Sequence, residues 1–252
     1  MAVASLSLDQ LRANVLTVND RIARAAAASG RDATTIRLIA VSKTYPVSSV
    51  EAVAAVGLTA FGENRVQEAL QKMEQTSELR IRWHLIGHLQ SNKARSAAAR
   101  FDWIHSVDSP RLLQRLDHVA MEEGLTPDLL VQIDLAGEAA KHGVTIAETR
   151  HMFDVASRCQ AAKVHGLMLM PPWNKDPEVT RPYFRRLREL KDELVSDGID
   201  PRLLRELSMG MSHDLEVAIQ EGATLVRVGT AIFGRRTPRF PKGTDTDKSH
   251  SP

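Results

Sequence analysis

Apolar positions change their period along this chain, and the changes mark out its elements. Over residues 8 to 28, Leu11, Val15, Val18 and Ile22 recur at steps of three and four, the pattern of a helix with one buried face. Gly30 supplies its stop. From residue 36 onward, short apolar runs alternate with helical stretches. The runs are IRLIAVS (36–42), AFGE (60–63), WHLIG (83–87), WIHSV (103–107), DLLVQIDL (128–135), VHGLMLM (164–170), LRELSM (204–209) and LVRVG (225–229). Between them lie helical patterns such as SSVEAVAAVG, NRVQEALQKMEQ, SPRLLQRLDHVAMEEG and EVTRPYFRRLRELKDELV. Strand starts 20 to 40 residues apart leave room for one crossover helix each.

Alternating strand and helix units predict a parallel sheet covered by helices. Eight units in about 200 residues match a closed (β/α)8 barrel of the TIM type, preceded by one extra helix, better than an open doubly wound sheet. The barrel is expected over residues 1–236. Residues 237–252, TPRFPKGTDTDKSHSP, hold three prolines and no periodicity, and are expected to form a disordered tail.

Composition narrows the function classes. Of 252 residues, 43% are hydrophobic and 25% charged, an ordinary globular balance. Lys+Arg 33 against Asp+Glu 31 leaves a net charge of +2, and eleven aromatics give little for bases to stack on, so nucleic acid is not an expected partner. No run approaches a membrane span, so no membrane partner is expected either. A single Cys159 and the lack of a signal-peptide pattern at the start point to the cytoplasm.

In such a barrel, chemistry belongs at the C-terminal strand ends, where the strand-to-helix loops converge. The last two loops stand out. SMGMSHD (208–214) opens into a helical pattern with Ser212 at the expected N-cap, and RVGTAIFG (227–234) places Gly229 and Thr230 before a short helix. Together they resemble a phosphate cradle built from exposed backbone N–H groups. Turn glycines and a plain helix cap would leave the same trace. Lys43, leaving the first strand, stands where desolvation can turn its amine into a nucleophile for carbonyls, though a solvated strand-end lysine reads alike. A phosphate cradle plus such a lysine describes a Schiff-base site for a phosphorylated aldehyde. His84, His88 and His105 lie near barrel ends, but no HxH, HExxH or CxxC spacing joins them, so no metal site is read here. Cys159 falls within a helical pattern and reads as a small core residue.

Several strings in order, AVSKTYP (40–46), FGENRVQE (61–68), WHLIGHLQSNK (83–93), GLMLM (166–170), SMGMSHDLEVAI (208–219) and RVGTAIFG (227–234), resemble the pyridoxal phosphate homeostasis proteins, single-domain relatives of the alanine racemase N-terminal barrel. The resemblance covers about residues 10 to 235. It implies that Lys43 forms the Schiff base with pyridoxal 5′-phosphate (PLP). By the same resemblance, Ser212 binds the phosphate with backbone donors around Gly210, Gly229 and Thr230, and Ser208 lies close by. Asn64 is expected near the ring or its hydroxyl, His84 along the pocket, and Arg227 toward the ring and phosphate side.

No catalytic residue is assigned. An arginine near the pyridine nitrogen depresses its basicity and weakens the electron sink. Racemases of the related fold draw a second base, a tyrosine, from an additional β domain, which residues 237–252 are too few to form. The expected role is a non-catalytic PLP carrier or buffer, extending to delivery of PLP to apo-enzymes, and a monomer is expected. A PLP-dependent amino-acid racemase, or a Schiff-base aldolase acting on a phosphorylated substrate, is the alternative. Two places depart from the family pattern: His88 stands where proline is common, and Asp134 and Leu135 where Asn and a small hydroxyl residue are common, so no family role is carried to those positions.

Overall fold

The computed structural model describes residues 6–137 and 142–235. Residue 236 and the expected tail, 237–252, lie outside the described residues. Eight parallel strands, β1 (Arg37–Val41), β2 (Ala60–Glu63), β3 (Arg82–Leu85), β4 (Trp103–Val107), β5 (Asp128–Gln132), β6 (Lys163–Met168), β7 (Glu206–Met211) and β8 (Leu225–Val228), close into a barrel in sequence order. β8 pairs with β1 to seal it, with Leu38 opposite Val226 and Ile39 opposite Arg227. Every strand coincides with one of the expected apolar runs. Each is covered on one side by helices and on the other by the opposite wall, so apolar residues suit both faces.

The helices are α1 (Leu8–Ala28), α2 (Val47–Ala55), α3 (Val66–Gln75), α4 (Ala94–Arg100), α5 (Pro110–Glu123), α6 (Ile146–Ala156), α7 (Arg181–Ser196), α8 (Leu215–Gln220) and α9 (Thr230–Phe233). The apolar pattern does not single out α4, because its buried face consists only of Ala94, Ala97 and Ala98. Between barrel wall and helices lies the larger core, in which Phe61, Leu85, Phe153 and Phe184 are fully enclosed. Within the barrel, Ile39, Ala60, Trp103, Leu130, Met168 and Leu225 form a second cluster.

The extra helix α1 is not a loose appendage. Ser7 and Gln10 form a capping box at its start. Its buried face packs beside α8 and α9, and its polar side reaches the last two strand-end loops. Arg21 holds Glu216 through two bonds of 2.6 and 2.8 Å and also donates to the Ser212 carbonyl at 3.0 Å. Asn14 donates to the carbonyl of Ile232 at 2.8 Å. The N-terminal helix thus braces the loops after β7 and β8.

Candidate functional site

A cleft of about 340 Å³ opens at the C-terminal mouth of the barrel, where strand-end loops meet. Lys43, Asn64, Ser212, Arg227, Gly229 and Thr230 line it together. Its size falls at the lower end of small-ligand sites. The end of the cleft formed by the last two strand-end loops is built around Ser212. Its hydroxyl oxygen accepts from the backbone N–H groups of Gly229, at 3.2 Å, and Ala231, at 3.4 Å. The expectation that Ser212 caps the helix after β7 is corrected: the N-cap of α8 is Asp214. Asp214 Oδ1 accepts from the Met211 N–H at 2.6 Å, tightening the turn and leaving Ser212 facing the loop after β8. Two N–H groups converging on one oxygen at the edge of a cleft fit an anionic oxygen equally well.

Lys43, which follows β1, is carried by a tight turn. Ser42 accepts from the Tyr45 N–H at 3.1 Å, and Thr44 adopts φ +69, an uncommon left-handed conformation for a β-branched residue. The turn is held from beneath. The Thr44 N–H donates to Glu68 at 2.5 Å, the Ser42 hydroxyl to Glu63 at 2.6 Å, and Lys72 Nζ to the Ser42 carbonyl, Glu63 and Glu68 at 2.8, 2.7 and 3.0 Å. Glu63 and Lys72 are buried, and burial pushes the Glu63 carboxyl above the usual range despite Lys72 beside it. The hydrogen bonds from Thr44 and Lys72 hold the half-exposed Glu68 low, outweighing its own burial.

Beneath the cleft runs a line of enclosed polar groups. Arg227 donates to the Ser208 hydroxyl at 2.6 Å and to the Leu169 carbonyl at 2.8 Å. Ser208 is 2.9 Å from His105 Nδ1, and His105 Nε2 is 3.0 Å from His84 Nδ1. Because the guanidinium can only donate, the arrangement that employs every hydroxyl and ring proton up to His84 points away from Arg227. Ser208 then donates to His105, and His105 to His84. His84 Nε2, buried and stacked beside Trp103, has no hydrogen-bond partner among the described residues. Burial lowers His84 to about 3 and His105 well below its ordinary value, so both rings are neutral near pH 7. Burial also lowers Arg227 to about 10, which leaves it charged.

Three expected site residues stand apart from the cleft lining. His84 and Ser208 are wholly buried, and Ser208 reaches the cleft through its bond from Arg227. Gly210 serves packing: with φ +88 and a would-be Cβ 2.5 Å from the Ala218 Cβ, it lets α8 approach β7. Residues that sequence reasoning did not single out complete the wall, among them Ile86, Trp173, Lys175 and His213. Trp173 is 73% exposed at the rim, and the PPW segment that presents it gave no periodic signal. Gly87 packs so closely on Asn64 that a Cβ would overlap the Asn64 carbonyl, which fixes that side of the cleft. Asp134 turns inward to its own loop, accepting from the N–H groups of Ala136 and Gly137 at 3.0 Å each.

The alanine racemase N-terminal domain family matches residues 6–237. A pyridoxal phosphate homeostasis protein of Aquifex aeolicus is 42% identical over 219 residues, covering 87% of this chain and 95% of that relative. The chain belongs to the pyridoxal phosphate homeostasis protein family. A second member, from Pseudomonas aeruginosa, is 43% identical over 224 residues, covering 88% of this chain and 94% of its own. Among solved structures, PipY of Synechococcus elongatus with PLP bound shares 40% identity at a TM-score of 0.76, covering 86% of this chain and 100% of that one. Among the described residues, no helix is long and apolar enough to cross a membrane.

Proposed function

We propose that this protein holds PLP in the cleft at the barrel mouth, attached through Lys43, and serves PLP homeostasis as a carrier rather than by catalysing a reaction. One observation carries the reading: Lys43 and the Ser212 cradle line the same cavity although they come from opposite ends of the chain. The homeostasis proteins it resembles and the PLP-bound PipY structure agree with it. When bound, PLP supplies an aldehyde that condenses with an amine and a ring that can draw electrons from an attached group. Lys43 offers the amine. Ser212 and the backbone of Gly229, Thr230 and Ala231 would hold the phosphate, and Asn64 the ring side.

Arg227 argues for carrying over catalysis. Its buried positive charge disfavours a proton on any ring nitrogen placed beside it, so the electron sink is weak. A second base is also wanting: Tyr45 donates its hydroxyl to the Gly234 carbonyl at 2.5 Å, Tyr183 stands on the outer helix α7, and neither lines the cleft. Transfer to apo-enzymes belongs to the same proposal, because the attachment exchanges with competing amines and Lys43 faces an open cleft.

The purified protein with PLP is expected to absorb in the near visible, and borohydride reduction followed by peptide mapping to place a pyridoxyl group on Lys43. Absence of that absorbance, or its persistence in Lys43→Ala, would overturn the attachment. Incubation with L-amino acids in deuterated water tests the carrier reading separately: deuterium appearing at Cα would make the protein an enzyme.

A further inference from the structure

A cluster of three side chains stands beside the cleft, outside the machinery described so far. His88 follows β3, Asp108 follows β4, and His142 precedes α6. Nδ1 of His88 lies 3.1 Å from Asp108 Oδ2, and Nδ1 of His142 lies 3.8 Å from the same oxygen. One donor atom from each residue falls within 4.8 Å of the other two, and no other such trio occurs among the described residues. We propose that His88, Asp108 and His142 form a binding site for a first-row divalent transition metal such as zinc.

The spacing suits coordination. Bonds of about 2.0 to 2.1 Å to a tetrahedral ion set neighbouring donor atoms about 3.3 to 3.4 Å apart, between the two distances to Asp108. Two imidazole nitrogens and one carboxylate oxygen select zinc, cobalt, nickel or copper over magnesium and calcium, which prefer oxygen throughout. Three protein ligands leave a fourth position for water or an anion.

The backbone under each ligand is fixed independently. The Ser106 hydroxyl donates to the Gly87 carbonyl at 2.6 Å, tying the residue before His88 to β4. Gln132 on β5 donates to the His142 carbonyl at 2.5 Å, and the Asp134 N–H to the Val144 carbonyl at 3.0 Å. Ser109, next to Asp108, caps α5. Such tethering lowers the ordering cost of assembling three ligands. The Asp108 side chain is 13% exposed, while His88 and His142 are 38% and 54% exposed, so an ion can enter from solvent and the rings can turn.

Turning is required. The two rings stack with centroids 3.6 Å apart and planes 9° from parallel, with both Nδ1 atoms on the side of Asp108. Convergence on an ion splays the rings, and the metal takes the place of the proton between His88 and Asp108, while Nε2 of His88 gains a proton so that the ring stays a neutral imidazole. Other histidine–carboxylate pairs, such as His118 with Glu122 and His165 with Asp128, bring only two ligands. His88 lies two residues from Ile86 in the cleft wall.

Titration of the untagged full chain, free of PLP, with cobalt chloride should develop visible d–d bands that saturate at about one ion per chain, and zinc should displace the cobalt. His88→Ala, Asp108→Asn and His142→Ala should each weaken zinc binding at least tenfold by calorimetry, while His118→Ala leaves it unchanged. In the wild type, zinc should protect His88 and His142 from diethyl pyrocarbonate, mapped by mass spectrometry. Failure of the cobalt bands to appear, zinc binding that survives all three substitutions, or equal modification with and without zinc would each overturn the proposal.

Discussion

Arg227 donates to the Ser208 hydroxyl across 2.6 Å inside the barrel, and both side chains are buried. This bond links a wall of the cleft to the two neutral histidines below it. Ser208→Ala removes the acceptor and leaves a buried guanidinium N–H unsatisfied, with an expected loss of about 1 to 3 kcal/mol of stability. Urea unfolding of the variant measures it. Equal midpoints for variant and wild type would show that Arg227 finds another acceptor.

His84 and His105 make stability depend on pH in a defined direction. Burial lowers the proton affinity of each in the folded state below the ordinary value of 6.5. The unfolded chain therefore binds more protons, and the contribution is fully present above 6.5 and lost as pH falls toward 3. His84→Gln removes one titrating group but keeps an acceptor for His105. Between pH 6 and 4 its unfolding free energy should fall less steeply than that of wild type, by about 1.4 kcal/mol per pH unit. Parallel denaturant titrations across that range decide it, since the carboxylates common to both proteins cancel in the difference.

Lys72 is the cation paired with the buried Glu63 carboxylate, which otherwise accepts only from the neutral Ser42 hydroxyl among the described residues. Lys72→Met leaves Glu63 buried without its cation, with an expected cost of about 3 to 5 kcal/mol near neutral pH. Glu63 already takes up a proton more readily than an exposed carboxyl, and removing Lys72 strengthens that tendency. The loss should thus shrink at pH 5, where the carboxyl can protonate. Lys72→Met with Glu63→Gln should recover part of the stability at pH 7. A double variant no more stable than Lys72→Met would mean that the pair matters for shape and not for charge.

Arg21 does not itself line the cleft, yet it donates to the carbonyl of Ser212, which does, and to Glu216. Arg21→Ala should leave the barrel folded by circular dichroism while weakening PLP binding about tenfold, by loosening the loop that carries the Ser212 hydroxyl. Absorbance titration with PLP gives the affinity. Unchanged affinity would remove α1 from any part in the site.

The eight strands are legible because burial on both faces leaves an apolar run with little else to confuse it, and α1 because four apolar residues hold its period. Local signals misled at Ser212, whose place before a helical pattern mimicked a cap; the turn closed by Asp214 moved the cap two residues onward. Long-range partners left no trace. Arg21 lies 191 residues from Ser212, and His88, Asp108 and His142 share no motif spacing because the barrel's curvature, not one element, gathers them. Lys43 and the last two loops were visible because they combine a reactive residue type with glycines at strand ends. Ser208, expected close by, and His84, expected along the pocket, sit one layer below the cleft lining, since a strand's alternation does not tell how deep the cleft reaches.

The seam between β1 and β8 carries a consequence for timing during synthesis. Lys43 emerges from the ribosome early, whereas Gly229 and Ala231 follow some 186 and 188 residues later. Until β8 docks beside β1, a nascent chain has the lysine without the anion cradle. Stable loading with PLP should therefore await the last strand, so that occupancy of the cleft reports a finished barrel.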